Sequence, residues 1–205
     1  MPFSTRRRSL MVYVSLCVLL MLMGLITANH AFASNGIPVY GSPDAPTTFS
    51  LWGSLTCPYT RQLFFILTRI VDQSNSGVNV EWHHLPVHDS DPGLHVLASA
   101  REERFWALAR RIFRAEAEGT AISWERFVEW AGAEGIPDGV LQSAWSNQAK
   151  WDAVKEDYLA SKLLGVEGTP GLFFAGYFLT PAGLPKDLVQ FEQVLVDLVA
   201  KARGK

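Results

Sequence analysis

One sulfur frames the chemistry open to this chain. Of its two cysteines, Cys17 lies in an apolar run near the N-terminus, and Cys57 stands in Cys57-Pro58-Tyr59-Thr60. The thiolate is the nucleophilic form of cysteine, and a cysteine that opens a helix is pushed towards it by the first-turn N–H groups and the helix dipole. Pro58 marks such an opening, since proline at the first helical position wastes no N–H and brings a pre-set φ. A lone thiol in an exported domain is either reactive or paired with another molecule, and it cannot staple its own fold.

Four histidines, His83, His84, His88 and His95, form the other cluster with catalytic or ligand chemistry. Adjacent residues on a strand point to opposite faces, so His83 and His84 cannot serve one site. They read as polar strand-end groups, and no metal is expected. Cys57 with one of them would imitate a cysteine hydrolase, but nothing supplies the third, orienting group. His88-Asp89-Ser90 offers triad residue types only in sequence, whereas a triad is an arrangement in space.

The elements that must position Cys57 follow from periodicity. Residues 34–46 are a polar lead-in rich in Gly and Pro, residues 47–52 a strand, and residues 53–56 a turn. Leu63, Phe64, Leu67, Ile70 and Val71 give the helix opened by Cys57 an apolar stripe at 3.6-residue spacing. A second strand covers residues 78–85. From 91 to 164 the pattern is helical, in four helices. The first is capped at Asp91-Pro92 and carries Ala98, Phe105, Leu108 and Ile112 on one side. The others begin at Ser123, at Pro137-Asp138 and near Gln148. Trp124, Trp130, Trp145 and Trp151 in this block read mostly as core, with one or two lining a peptide groove. Strands return at residues 171–174 and 177–180, and a last helix carries Leu188, Phe191, Leu195 and Leu198. A strand-helix-strand opening requires a crossover and hence a parallel pair, while two closely spaced strands form a hairpin. The reading is an α/β fold with a central mixed sheet and an inserted helical block.

The N-terminus reads as an address rather than as structure. Arg6, Arg7 and Arg8 precede an apolar run from Leu10 to Ile26, and Ala31-Phe32-Ala33 supplies small residues for cleavage after Ala33. The expectation is a signal peptide over residues 1–33 and a domain over 34–205. The alternative is an uncleaved anchor facing the periplasm, for which a 17-residue run, interrupted by Ser15 and Gly24, sits at the short limit. The removed segment takes three arginines and no acid, so 15 basic and 20 acidic residues remain. No basic patch appears, and nucleic acid is not an expected partner.

The chain resembles the DsbA-like branch of the thioredoxin superfamily. The residues that carry the likeness are Gly41-Ser42-Pro43-Asp44-Ala45-Pro46, then Cys57-Pro58-Tyr59-Thr60, and finally Val166-Glu167-Gly168-Thr169-Pro170. The resemblance implies a thioredoxin fold with Cys57 as attacking thiol and Pro170 as a cis-proline facing it. It also implies that Pro58, Tyr59, Thr169 and Pro170 meet an extended substrate peptide. The expected location is the periplasm, with no cofactor. The expected partners are client protein or peptide thiols or a glutathione-like small thiol.

Two departures bear on activity. Thr60 stands where the family usually has a second cysteine, and Leu51 where a glutamate often lies. A mixed disulfide is normally resolved by that second thiol. The threonine hydroxyl can hydrogen-bond a Cys57 thiolate but cannot attack sulfur. The expectation is therefore a monothiol protein with Cys57 and Thr60 at its reactive centre. The alternative is a non-catalytic peptide-binding or assembly module, and a third possibility is a Cys57–Cys57 linked dimer.

Overall fold

The computed structural model describes residues 36–88, 91–180 and 183–204. The signal segment read at 1–33 lies outside the described residues. Strand β2 (Thr48–Gly53) runs into helix α1 (Pro58–Gln73), which crosses over to β3 (Asn79–His84). β2 and β3 pair in parallel, from Thr48 opposite Asn79 to Gly53 opposite His84. β4 (Gly171–Phe174) lies antiparallel on the other side of β2, and β5 (Tyr177–Phe178) completes the hairpin.

Residues 34–46 read only as a polar lead-in, yet Val39–Tyr40 forms strand β1, antiparallel to β3. The sheet order is β1-β3-β2-β4-β5. A two-residue strand has no alternation to read, so only its partner reveals it. The last strand is shorter than expected. Thr180 leaves the ladder and instead donates from its hydroxyl to the Pro170 carbonyl and accepts from Leu172 N–H.

The helical block also departs from the four-helix reading. The stretch from Asp91 past Ile112 is two helices, α2 (Asp91–Ala98) and α3 (Phe105–Ala117), joined through a 3-10 turn at Glu102–Arg104. Lys150 Nζ donates to the Ser99 carbonyl at 2.8 Å, satisfying a group freed where the first helix stops. α4 (Trp124–Ala133), α5 (Asp138–Ser146) and α6 (Gln148–Leu163) follow as expected, and α7 (Leu188–Arg203) closes the chain. Ser123 caps α4 by accepting from Arg126 N–H.

The core lies between the sheet, α1, α3 and α7. Phe49, Leu51, Trp82 and Leu172 from the strands meet Leu63, Phe64 and Leu67 of α1 and Leu108, Ile112 and Phe113 of α3. Arg69 of α1 grips Glu192 of α7 through two bonds of 2.7 Å. Of Trp124, Trp130, Trp145 and Trp151, which were expected mostly in the core, only Trp130 packs against it. Trp124 and Trp145 are exposed, while the buried ones are Trp52, Trp82 and Trp106. The smaller helices have one apolar stripe each, already filled by residues such as Phe127, Leu141 and Val154.

Gly53 brings the sheet against the start of α1. A Cβ there would lie 2.6 Å from Thr60 Cγ2 and 2.6 Å from the Trp82 ring, so only glycine fits. That contact fixes how closely the first turn of α1 approaches the end of β2.

Candidate functional site

Cys57 is the residue that caps α1. Its backbone is extended (φ −87°, ψ 122°), Pro58 follows at the first helical position, and no side chain caps the helix. The first-turn N–H groups therefore await an acceptor, and the sulfur is the side chain placed to become one. Its Sγ contacts the Thr169 carbonyl oxygen at 3.6 Å. The sulfur residue is 9 % exposed, whereas Tyr59 beside it is 58 % exposed. Pro58 is likewise exposed, Thr169 half-buried and Pro170 buried. The Thr169–Pro170 bond is cis, as the resemblance implied. The sulfur contact thus joins Cys57 to the cis-proline loop 112 positions later in the chain.

Thr60 behaves otherwise than expected. Its hydroxyl is fully buried and has no hydrogen-bond partner among the described residues, Cys57 included. The cause is geometric: the threonine methyl is packed towards Gly53, and the sulfur is directed to the Thr169 carbonyl. Leu51, where the related proteins often carry glutamate, is wholly buried in the apolar core. No carboxylate lies there to relay a proton.

The polar groups near the thiol come from α2, which the sequence reading did not enlist. Asp91 is fully buried. Its carboxylate accepts from Ser54 Oγ at 2.7 Å, Thr56 Oγ1 at 2.8 Å, and the N–H groups of Val87 and His88 at 3.0 and 3.3 Å. One turn on, His95 accepts from Leu55 N–H through Nε2 at 3.3 Å. Its Nδ1 lies 2.7 Å from Nδ1 of His84. The i, i+4 spacing of Asp91 and His95 on a helix was the available signal, because it sets both on one face.

His83 and His84 do point to opposite faces. His83 stacks on Trp52 with centroids 3.9 Å apart and bonds Asp157 at 3.1 Å. Burial opposes its charge, but the Asp157 and Glu81 carboxylates outweigh that and hold it above the usual histidine range. His84 faces inward beside His95. Burial drives both downward, His84 well below the ordinary value with neighbouring His95 adding to the fall, and His95 to about 3. His88, by contrast, lies at the exposed end of the loop after β3 and offers only its backbone N–H to Asp91. The four histidines therefore do not form one cluster.

Comparison with known proteins matches this architecture. The family model described as Thioredoxin matches residues 34–191. No curated protein matches the chain by sequence. Among solved structures, a thioredoxin-like oxidoreductase from Silicibacter pomeroyi is similar with TM-score 0.65 and 18 % identity, over 85 % of this chain and 96 % of its own. The catalytic domain of Proteus mirabilis ScsC is similar with TM-score 0.65 and 17 % identity, over 88 % and 97 %. The thiol-disulfide exchange protein alpha-DsbA2 from Wolbachia pipientis is similar with TM-score 0.64 and 14 % identity, over 79 % and 88 %. With its parallel β2–β3 pair, its inserted helices and its helix-capping cysteine, the chain belongs to the thioredoxin family and has the DsbA-like form of that fold.

Proposed function

We propose that this protein is an exported monothiol exchange protein that forms mixed disulfides through Cys57. The observation that carries the reading is a single sulfur at an otherwise uncapped helix start, facing the Thr169 carbonyl, with threonine rather than cysteine one turn on. In the first step the Cys57 thiolate attacks a client disulfide. The client S–S bond breaks, a Cys57–client bond forms, and the other client sulfur leaves as thiolate. In the second step a small thiol of glutathione type attacks the Cys57 sulfur, the client leaves as its second thiolate and a Cys57–small-thiol disulfide forms. A second small thiol then attacks the small-thiol sulfur, so that the oxidised small-thiol disulfide departs and Cys57 leaves as thiolate. Two electrons pass from small thiols to the client or, if a second client thiol attacks instead, the client disulfide is rearranged. Net oxidation is closed to the exported domain alone, since Cys57 is the sole cysteine among the described residues and leaves no second thiol in which to store a disulfide. The half-buried Thr169 offers backbone groups to an extended client peptide. The arginine-flanked apolar leader supports export to the periplasm.

The low exposure of Cys57 favours one second reading, a peptide-binding module in which the thiol is incidental. Trapping separates the two. Periplasmic extract quenched with acid and alkylated is run on non-reducing gels, with wild type beside Cys57→Ser. Client-linked bands present in wild type and absent from the variant are expected. Identical lanes, together with a Cys57 that resists iodoacetamide in the folded protein, would leave the module reading in possession.

A further inference from the structure

We propose that Asp91 and His95 of α2, with His84 behind His95, are positioning residues for Cys57, acting through the three residues that precede it. The inference rests on the exchange reading only in assigning Cys57 a reactive role. Among the described residues, every side-chain hold on residues 54–56 from outside the loop and α1 comes from one helix face. Asp91 takes both hydroxyls, of Ser54 and Thr56, and His95 takes the Leu55 N–H between them. Ser54 in turn accepts from Thr56 N–H, and its carbonyl accepts from Cys57 N–H at 3.3 Å. The grip thus passes to the cysteine backbone in one step.

The donors also assign the protons. His95 Nε2 accepts from Leu55, so its proton sits on Nδ1 and is donated to His84 Nδ1. His84 Nδ1 accepts a second bond, from Trp82 Nε1 at 3.1 Å, which leaves its own proton on Nε2, donated to Ser99 Oγ at 3.2 Å. The arrangement closes only with both rings neutral. A proton on His95 Nε2 would set two N–H groups against each other and release Leu55. The charged groups that act on His84 besides His95 are Asp157 and Lys150 of α6 and, across the strand, His83 of β3. Asp91 lies one turn before His95 on α2 and is turned to its own four donors. Asp91 forms no ion pair among the described residues, so its four donors are its solvation. Two of those four belong to the loop before the thiol.

The test uses His95→Asn and His95→Gln in the purified protein. Glutamine places an amide oxygen near the Nε2 position and can keep the Leu55 bond; asparagine reaches only the Nδ1 position and cannot. Iodoacetamide alkylation of Cys57 is followed across pH, beside far-UV circular dichroism. In His95→Asn the neutral-pH rate is expected to fall about five-fold, closing towards wild type at high pH where every thiol is ionised, with His95→Gln recovering most of the loss. A merely structural role predicts the opposite sign, because loosening a sulfur that is 9 % exposed uncovers it and speeds alkylation at every pH. Equal rates in wild type and His95→Asn, or faster alkylation in both variants, would overturn the proposal. Should His95→Asn misfold, Thr56→Val removes one Asp91 donor from the loop side and is read the same way. Alkylation needs no client, so failure of the trapping experiment and failure here are separate results.

Discussion

His83 and His84 are neighbours on one strand with opposite electrostatic fates. His83 lies flat on Trp52 with a carboxylate at 3.1 Å and is held in readiness to carry charge. His84, one peptide bond away, is sealed beside His95 and held neutral. The difference is the pleat: alternation sends one ring to the face that α6 borders with Asp157 and the other into the core, where the groups that hydrogen-bond its ring are neutral. A charge at the first position is paired. A charge at the second would be stranded.

The largest expected effect separates these two by acid. His84 and His95 have folded values below the unfolded 6.5, so below that pH the unfolded chain takes up protons that the folded one refuses, and stability falls as pH falls. Two such groups give a slope of about 2.7 kcal/mol per pH unit. It continues towards the folded value of about 3 for His95. His83 has the opposite sign. Its raised value gives stability that is complete below the unfolded pKa and lost as pH rises through the folded one. Urea denaturation from about pH 8 down to about pH 5 should therefore show a stability maximum above about 6.5 and a steep acid limb. A flat profile would break the comparison.

Next in size is His84→Leu. It removes the acceptor shared by Trp82 and His95 and should cost about 3 kcal/mol at neutral pH, while roughly halving the acid slope. A full slope in that variant would mean that the pair is not its source. Asp157→Asn acts on the other side of the strand. Proton NMR titration of His83 should move down towards an ordinary histidine, with a stability loss of about 1 kcal/mol as the bond to His84 N–H weakens. The smallest effect is expected for His83→Phe, which keeps a ring on Trp52 and loses the ion pair, within about 0.5 kcal/mol of wild type.

What could be read from the residues was local. The strand-helix-strand opening, the stripe of α1, the Ser123 cap and the hairpin at residues 171–178 all announce themselves through period or turn chemistry. The thiol at a helix start was legible from Cys57-Pro58 alone. The opposite faces of His83 and His84 followed from the pleat. What stayed hidden depends on contacts distant in sequence. β1 exists only because β3 accepts it. The α2–α3 break is completed by Lys150, some fifty residues on. Asp91 reaches back 37 positions to Ser54, and His95 reaches 40 to Leu55. Thr60 shows the converse: its place in the motif was plain, but the packing at Gly53 turned its hydroxyl away from any partner.

The uneven placement of the tryptophans has a spectroscopic consequence. Trp82 and Trp106 are sealed among aromatic rings beside the sheet, while Trp124 and Trp145 stand half in water on the helical block. Their emission is expected to divide into a blue, iodide-resistant component and a red, quenchable one. One cuvette can thereby follow the sealed core and the outer surface of α4 and α5 as separate reporters, with no label attached to either.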